Sequence, residues 1–267
     1  MRRTDALVAP FVAALLAAAP ALAQSDEELA KQLANPVASL ISVPLQYNYN
    51  GNFPPEDGEQ SYLNIQPVIP ISISENWNVI SRTILPIVNQ DDIAPDFDHK
   101  VGLGATTQSL FFSPKKPTAA GLIWGVGPAF LIPTATDDVA PNLWGAGITG
   151  VGLLQKGPWT VGALANHIWS VADNDKYGDY SQTFLQPFIN YTTPKATSFF
   201  INTETVYNWE SEEWSVPINF GANQLFKIGS QRVQLGGGLR YWADSPEYGP
   251  QDWGARLILT FLFPKKA

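Results

Sequence analysis

The sequence predicts an all-β fold: a transmembrane, antiparallel, up-and-down β-barrel of about twelve strands, preceded by a short N-terminal helix. About twelve stretches of roughly ten to thirteen residues, separated by turn-forming residues, fill residues 37–263. A tilted strand needs about 9–11 residues to cross a bilayer. The tryptophans fall near the predicted strand ends, where membrane barrels carry aromatic girdles. They are Trp77, Trp124, Trp144, Trp159, Trp169, Trp209, Trp214, Trp242 and Trp253.

The N-terminal segment has the pattern of a secretory signal peptide. Arg2 and Arg3 supply the positive region, residues 6–22 are almost wholly apolar, and residues 21–23 (Ala-Leu-Ala) form a small-x-small cleavage site. We therefore predict that residues 1–23 are removed during secretion through the inner membrane; a transmembrane helix is the alternative. No later segment approaches the ~18 consecutive apolar residues that a membrane helix needs.

Residues 24–36 predict a short helix or leader. Ser25 and Glu28 form a capping-box pattern that opens the helix, and Asn35-Pro36 follows its end. Two interpretations stay open for this segment. It is either a small plug or foot on the periplasmic side, or a partly ordered leader to the barrel.

The barrel itself is predicted over residues 37–267, as one domain without an internal linker. The twelve predicted strands are residues 37–50, 60–73, 77–89, 101–113, 122–134, 143–155, 159–171, 180–192, 197–209, 214–228, 232–242 and 253–263. Short turns alternate with longer connections between them. An even number of strands puts both ends of the barrel on one side, and outer-membrane barrels keep their short turns there, in the periplasm.

Acid-rich longer loops (residues 90–100, 172–179 and 243–252) fall on the other side, which we predict to be external. The aromatic residues then sort into two girdles. The predicted outer girdle is Tyr47, Tyr49, Trp144, Trp169, Tyr207, Trp209, Trp214, Tyr241 and Trp253. The predicted inner girdle is Trp77, Phe111, Trp124, Trp159, Phe199, Phe226, Phe261 and Phe263.

Period-two alternation predicts which side chains face the interior. In the first strand, Asn48 and Asn50 share a polar face with Gln46, opposite the apolar one. The last strand turns Arg256 away from a row of leucines and phenylalanines. The candidate residues that line the interior and set selectivity are Gln46, Asn64, Gln66, Arg82, Gln186, Glu204, Arg240 and Arg256.

Charges inside the barrel have two interpretations. Rings of fixed charge set ion preference in pores, whereas an ion-pair network would fill the barrel and lock it. A twelve-stranded barrel has a backbone radius of roughly 12 Å, which leaves a narrow lumen if side chains do not plug it. Proline donates no ladder hydrogen bond, so several strand prolines must mark bulges or strand ends. These prolines are Pro44, Pro67, Pro70, Pro86, Pro128, Pro187 and Pro217.

Six stretches of the chain resemble one family of proteins. They are residues 35–46, 80–86, 107–114, 165–170, 241–246 and 260–264. These stretches are similar to a Gram-negative outer-membrane family named for the meta-pathway of phenol degradation, whose members are often described as transporters. The resemblance implies an outer-membrane barrel and passage of small molecules, but it carries no binding residues. It also implies insertion by the outer-membrane assembly machinery; the terminal aromatic residue of such barrels, Phe263, is set back here from residue 267.

Composition excludes several other classes of function. The chain has no cysteine, so disulfide scaffolds and thiolate chemistry are absent, and its net charge of −8 argues against a nucleic-acid partner. The two histidines are His99 and His167, and Ser170, three residues after His167, belongs to the opposite face of its strand. We expect no catalytic residue and no cofactor, with an outer-membrane hydrolase as the main alternative.

Metal binding is also not expected. Asp173 begins a calcium-loop pattern, but Phe184 stands where the bidentate glutamate belongs. The acidic cluster of Asp91, Asp92, Asp96 and Asp98 is typical of a hydrated external loop. The function we expect is passive passage of small solutes, including small aromatic or hydrophobic compounds, by a monomer in the lipid bilayer of the bacterial outer membrane. A structural or adhesive barrel with a filled lumen is a further alternative.

Overall fold

A computed structural model of the chain describes residues 24–136, 139–172, 176 and 178–264. The predicted signal peptide, residues 1–23, lies outside the described residues, as does the start of the candidate calcium loop at Asp173. The helix α1 spans Asp26–Leu33, and it is capped by Ser25 and Glu28 in the predicted reciprocal arrangement. Among the described helices, none has the length and apolar character to cross a membrane.

The twelve-stranded antiparallel barrel is confirmed. Its strands are Ile41–Phe53 (β1), Gly58–Ile65 with Val68–Ser72 (β2), Trp77–Asp91 (β3), Lys100–Leu103 with Thr106–Pro114 (β4), Leu122–Ile132 (β5), Gly145–Lys156 (β6), Trp159–Ser170 (β7), Ser181–Thr192 (β8), Thr197–Thr203 with Thr205–Asn208 (β9), Glu213–Ile228 (β10), Gln231–Asp244 (β11) and Trp253–Phe263 (β12). Each strand pairs with its neighbours in sequence. The seam between β1 and β12 runs from the Ile41–Phe263 pair to the Tyr49–Ala255 pair, and it closes the sheet.

Prolines account for the three interrupted strands. The break in β2 is at Gln66 and Pro67, and the break in β4 is at Gly104, whose N–H donates to the carbonyl of Pro86 (2.9 Å). The break in β9 is at Glu204, whose N–H donates to the carbonyl of Pro217 in β10 (3.4 Å). Proline removes a ladder hydrogen bond at each place. The other strand prolines, Pro44, Pro70 and Pro128, lie inside paired segments.

The outer surface of the barrel is apolar between two aromatic belts, as a bilayer requires. Exposed leucine, isoleucine and valine side chains fill the band, among them Ile148 and Leu257. At the external boundary, the ring of Tyr207 lies 4.9 Å from Trp209 and 4.6 Å from Trp214 between centroids. At the opposite boundary, Trp77 and Trp124 meet edge to face at 5.8 Å.

One member of the predicted inner girdle does not belong to it. Phe111 is fully buried inside the barrel, where it packs with Ile80. The prediction is wrong because β4 is apolar on both faces at this height, so alternation does not distinguish its interior side. Several strand limits also differ: β1, for example, begins at Ile41 instead of residue 37 and ends at Phe53 instead of residue 50, and β6 begins at Gly145 instead of residue 143.

Residues 25–40 form a segment that occupies the mouth of the barrel at the end with the short turns, and we name it the leader. Leu29 and Ala30 of α1 pack inside the barrel with Leu225 of β10 and Leu262 of β12. Polar contacts fix the leader at several places around the mouth: Arg232 to Asp26 (3.0 Å), Gln155 to the Lys31 carbonyl (2.9 Å) and Asn78 to Ser39 (2.8 Å). In the described chain, this segment therefore has the position of a plug.

Val37 continues the leader into the barrel. Its side chain is buried against Ile80 and Phe111, well inside the sheet. A Cβ added at Gly125 of β5 would lie 3.2 Å from both Val37 Cγ1 and Phe111 Cβ. The absence of a side chain at Gly125 thus lets the leader approach the barrel wall closely.

Candidate functional site

The interior contains an ion cluster of three residues, Glu204, Arg240 and Arg256, in which Glu204 lies at the break in β9. Glu204 Oε2 accepts hydrogen bonds from Arg240 Nη2 (2.6 Å) and Arg256 Nη2 (2.6 Å), and Oε1 accepts from Arg256 Nη1 (3.0 Å). The pair with Arg256 is therefore bidentate, the strongest geometry for a guanidinium and a carboxylate. Gln186 Nε2 approaches Glu204 Oε1 at 3.5 Å.

Neutral polar groups complete this cluster. Arg240 Nε donates to Asn219 Oδ1 (2.8 Å), and Arg240 Nη1 donates to the Tyr62 hydroxyl (2.5 Å). Arg256 Nε donates to Asn48 Oδ1 (2.7 Å). The guanidinium of Arg240 also lies 5.5 Å from the ring of Trp242. These contacts offset much of the cost of burying two arginines that are only 1% and 2% exposed.

The side chains of this cluster belong to one side of the barrel, from β9 through β12 to β1, and we name them the charged wall. Its members are Glu204, Asn219, Arg240, Arg256, Asn48 and Asn50. Sequence reasoning assigned Asn48 and Asn50 to a polar face but missed Asn219. The signal for Asn219 is its position directly opposite Arg240 on the neighbouring strand, which depends on register.

A second side of the interior is apolar, and we name it the apolar wall. Its members are Ile80 of β3, Phe111 of β4, Val151 and Leu153 of β6, and Leu164 of β7. All are buried, and Val37 of the leader and Phe188 of β8 pack against them. Sequence reasoning missed this wall, because the strands that form it carry apolar residues on both faces.

Arg82 lies on β3 and takes no part in the ion cluster. Among the residues that the structure describes, its guanidinium makes one hydrogen bond, from Nη2 to Gln66 Oε1 at 3.3 Å. Among the described residues, no carboxylate forms an ion pair with it. Arg82 therefore keeps most of its five donors for other partners.

Three cavities inside the barrel meet at Arg82. The lower cavity has a volume of about 210 Å³ and is bounded below by residues 32–36 of the leader. The upper cavity has a volume of about 450 Å³, and a third, of about 230 Å³, lies toward Tyr180. The lower and upper cavities share four polar side chains: Gln46, Gln66, Arg82 and Gln186.

All eight candidate interior residues border these cavities or the ion cluster. Gln46, Asn64, Gln66, Arg82, Gln186, Glu204 and Arg240 line the upper cavity, and Arg256 holds Glu204 beside it. The structure thus gathers the eight around the upper cavity and the ion cluster. Their role in selectivity stays a prediction.

The histidines lie elsewhere. His99 is external, and its Nε2 lies 2.7 Å from Asn89 Oδ1. His167 is on the outward face of β7, with Nδ1 2.7 Å from Thr183 Oγ1 and Nε2 3.4 Å from Ser181 Oγ. Sequence reasoning considered Ser170 as its partner and missed Ser181, which comes close because β8 pairs with β7.

Thr183 is held in turn by a tryptophan of the outer girdle. Trp209 Nε1 donates a hydrogen bond to Thr183 Oγ1 (2.8 Å), and the ring of Trp169 lies 4.1 Å from that of His167. These contacts explain a polar cluster on a lipid-facing surface. In the described part of the chain, no three His, Asp or Glu side chains are grouped as metal ligands would be.

Comparisons with known proteins identify the fold. No family model matches the chain, and no curated protein matches it. Among solved structures, the chain is similar to an outer membrane channel from Pseudomonas putida F1, with 15% identity, a TM-score of 0.64, and coverage of 84% of this chain and 96% of that one. At this identity, the likeness shows a shared fold.

Two further structures are similar at lower TM-scores. The beta domain of the Bordetella autotransporter BrkA has 11% identity, a TM-score of 0.49, and coverage of 84% of this chain and 99% of that one. Outer membrane phospholipase A from Escherichia coli has 9% identity, a TM-score of 0.47, and coverage of 86% and 100%.

Proposed function

We propose that this chain is a monomeric channel of the bacterial outer membrane, through whose interior small solutes pass passively. One observation carries the proposal: the lower and upper cavities share four polar side chains in their linings, those of Gln46, Gln66, Arg82 and Gln186. Long polar side chains change rotamer without moving the backbone, so a solute can displace them. A filled structural barrel would instead pack this space.

The fold it shares with an outer membrane channel supports the proposal. So does the mixed character of the path. Polar side chains such as Asn64 border the upper cavity together with apolar ones such as Ile84 and Phe184. This lining suits small aromatic or hydrophobic compounds, the solutes that the resemblance to the phenol-degradation family suggests.

Planar-bilayer recording of the refolded mature chain tests this function. We expect discrete conductance steps, and their absence from correctly folded protein would remove the proposal. Because Arg82 adjoins all three cavities, Arg82→Glu should shift the reversal potential in a salt gradient toward cations. Lys227→Glu makes the same charge change at an exposed position and should leave the reversal potential unchanged.

A hydrolase is the second candidate, and one observation favours it: on the outward face, His167 lies between Thr183 Oγ1, at 2.7 Å, and Ser181 Oγ, at 3.4 Å. Such an arrangement is typical of a nucleophile, its base and an orienting group. Because it faces lipid, its substrate would be a lipid ester. Release of fatty acid from phospholipid vesicles, lost in both Ser181→Ala and His167→Ala, would support it. Absence of release from folded protein would dismiss it.

A further inference from the structure

Arg82 is a cation inside the barrel that forms no ion pair with any of the described residues. Its guanidinium has five N–H donors, of which one meets the amide oxygen of Gln66 at 3.3 Å. An enclosed charge that is neither paired nor fully hydrogen-bonded is costly. Arg240 and Arg256, in contrast, each have a carboxylate and at least one amide partner. The contacts of Arg82 are therefore incomplete within the described chain.

Glu204 is the nearest candidate to complete them, since it lines the same cavity, but its acceptor positions are already in use. A carboxylate has about four lone-pair sites. The two oxygens of Glu204 accept three hydrogen bonds of 2.6–3.0 Å from Arg240 and Arg256, and Gln186 approaches at 3.5 Å. With two arginines on one glutamate, the cluster keeps a positive charge of its own. The upper cavity therefore combines an excess of positive charge with a free guanidinium.

The shape and lining of the upper cavity indicate what else a ligand needs. Its volume of about 450 Å³ is within the range of small-molecule sites, roughly 300–1,000 Å³. Ile84, Phe184 and Val206 supply an apolar surface, and Asn64 and Gln186 supply amides beside Arg82. A ligand that fits has one anionic end and a compact apolar body.

We infer that the upper cavity is a binding site for small organic acids, whose carboxylate is held by Arg82 while the apolar body packs on Ile84, Phe184 and Val206. A guanidinium holds a carboxylate through two parallel hydrogen bonds. Phosphate and chloride have no apolar part, so neither would also make contact with the apolar side of the cavity. This inference rests on the proposed function, because it names the class of solute that the channel takes.

Isothermal titration of the refolded mature chain in detergent micelles tests the site, with benzoate as the probe. Benzamide has the same ring and no charge, so it should bind at least about tenfold more weakly, as expected for the loss of a hydrogen bond to a charged group. Arg82→Gln should lower the affinity for benzoate by a similar factor. Lys227→Gln, which removes an exposed charge, should bind benzoate as the unchanged chain does. Empty micelles correct for partitioning of both compounds.

Equal binding of benzoate and benzamide, or benzoate binding that Arg82→Gln leaves intact, would overturn the inference. Should Arg82→Gln not refold, Arg82→Lys keeps the charge but loses the two-pronged geometry, and it should weaken benzoate severalfold; unchanged affinity would count against the site. The comparison of benzoate with benzamide on the unchanged chain decides without any variant. Benzoate binding without bilayer conductance would reject the proposed channel function and support the binding site. Conductance without benzoate binding would support the channel and reject the site.

Discussion

The charged wall and the apolar wall lie inside the same barrel, yet they fill it in different ways. Ile80, Phe111 and Leu164 of the apolar wall pack into one cluster with the leader. The charged wall instead connects Glu204, Arg240 and Arg256 through directed hydrogen bonds, and cavities remain beside it. Packing is non-directional and fills space, whereas each charge fixes its partner at a set angle and distance. The comparison teaches that the cavities inside the barrel lie beside the polar side chains.

The charged wall should lose most when its one carboxylate is removed. Glu204→Gln keeps the shape of the side chain but leaves Arg240 and Arg256 without a counter-charge, and breaking a buried pair in this way costs about 3–5 kcal/mol. Equilibrium urea unfolding of the barrel in lipid vesicles measures the change in the free energy of unfolding. Glu59→Gln is the matched control, because Glu59 is exposed and the Tyr49 hydroxyl, which donates to its carboxylate at 2.8 Å, can still donate to the amide oxygen. A loss no larger than that of the control would show that pairing does not hold this wall.

The apolar wall should respond through lost packing and through an enlarged lumen. Leu164→Ala removes a side chain that is 1% exposed, and such changes cost about 2–5 kcal/mol depending on how far the site collapses. Because it removes no charge, it should leave the reversal potential unchanged, and it should raise single-channel conductance. Leu154→Ala on the lipid-facing side of β6 serves as control, since Leu154 is 49% exposed. A shift in ion preference from Leu164→Ala would contradict the division into two walls.

The smallest effect is expected where the leader meets the charged side of the barrel. The ion pair of Asp26 and Arg232 has side chains that are 50% and 25% exposed, and exposed pairs contribute about 0–1 kcal/mol. Asp26→Asn should therefore change the free energy of unfolding by less than the other two variants. It should raise the frequency of conductance openings if the leader narrows the periplasmic mouth. Identical gating would restrict the leader to a structural role.

The two walls also mark what sequence could predict. Alternation gives a clear interior face where one face is polar, as in β1, β11 and β12, and there the candidate residues lie on the interior. In β4, β6 and β7 both faces are apolar, so nothing in the sequence separates Phe111 or Leu164 from a lipid-facing residue. The residues that sequence missed most clearly are thus those of the apolar wall.

Contacts between side chains on neighbouring strands are the second feature that the sequence could not predict. The approach of Ser181 to His167, and of Asn219 to Arg240, depends on strand register, which no spacing within one strand reveals. The capping box likewise predicted the helix from Asp26 to Leu33 but not the place where it docks. Local chemistry fixes local structure, whereas the position of the leader depends on side chains contributed by distant strands.

The docking position of the leader has a consequence for the assembly of the barrel. Leu29 packs against Leu262, a residue of the last strand, and β1, which follows the leader directly, is hydrogen-bonded to that same strand. The leader can therefore dock in its final position only after β12, the last strand, is in place. We therefore expect the N-terminal helix to dock when the last hairpin closes the barrel. Protection of this helix from protease should then report barrel closure.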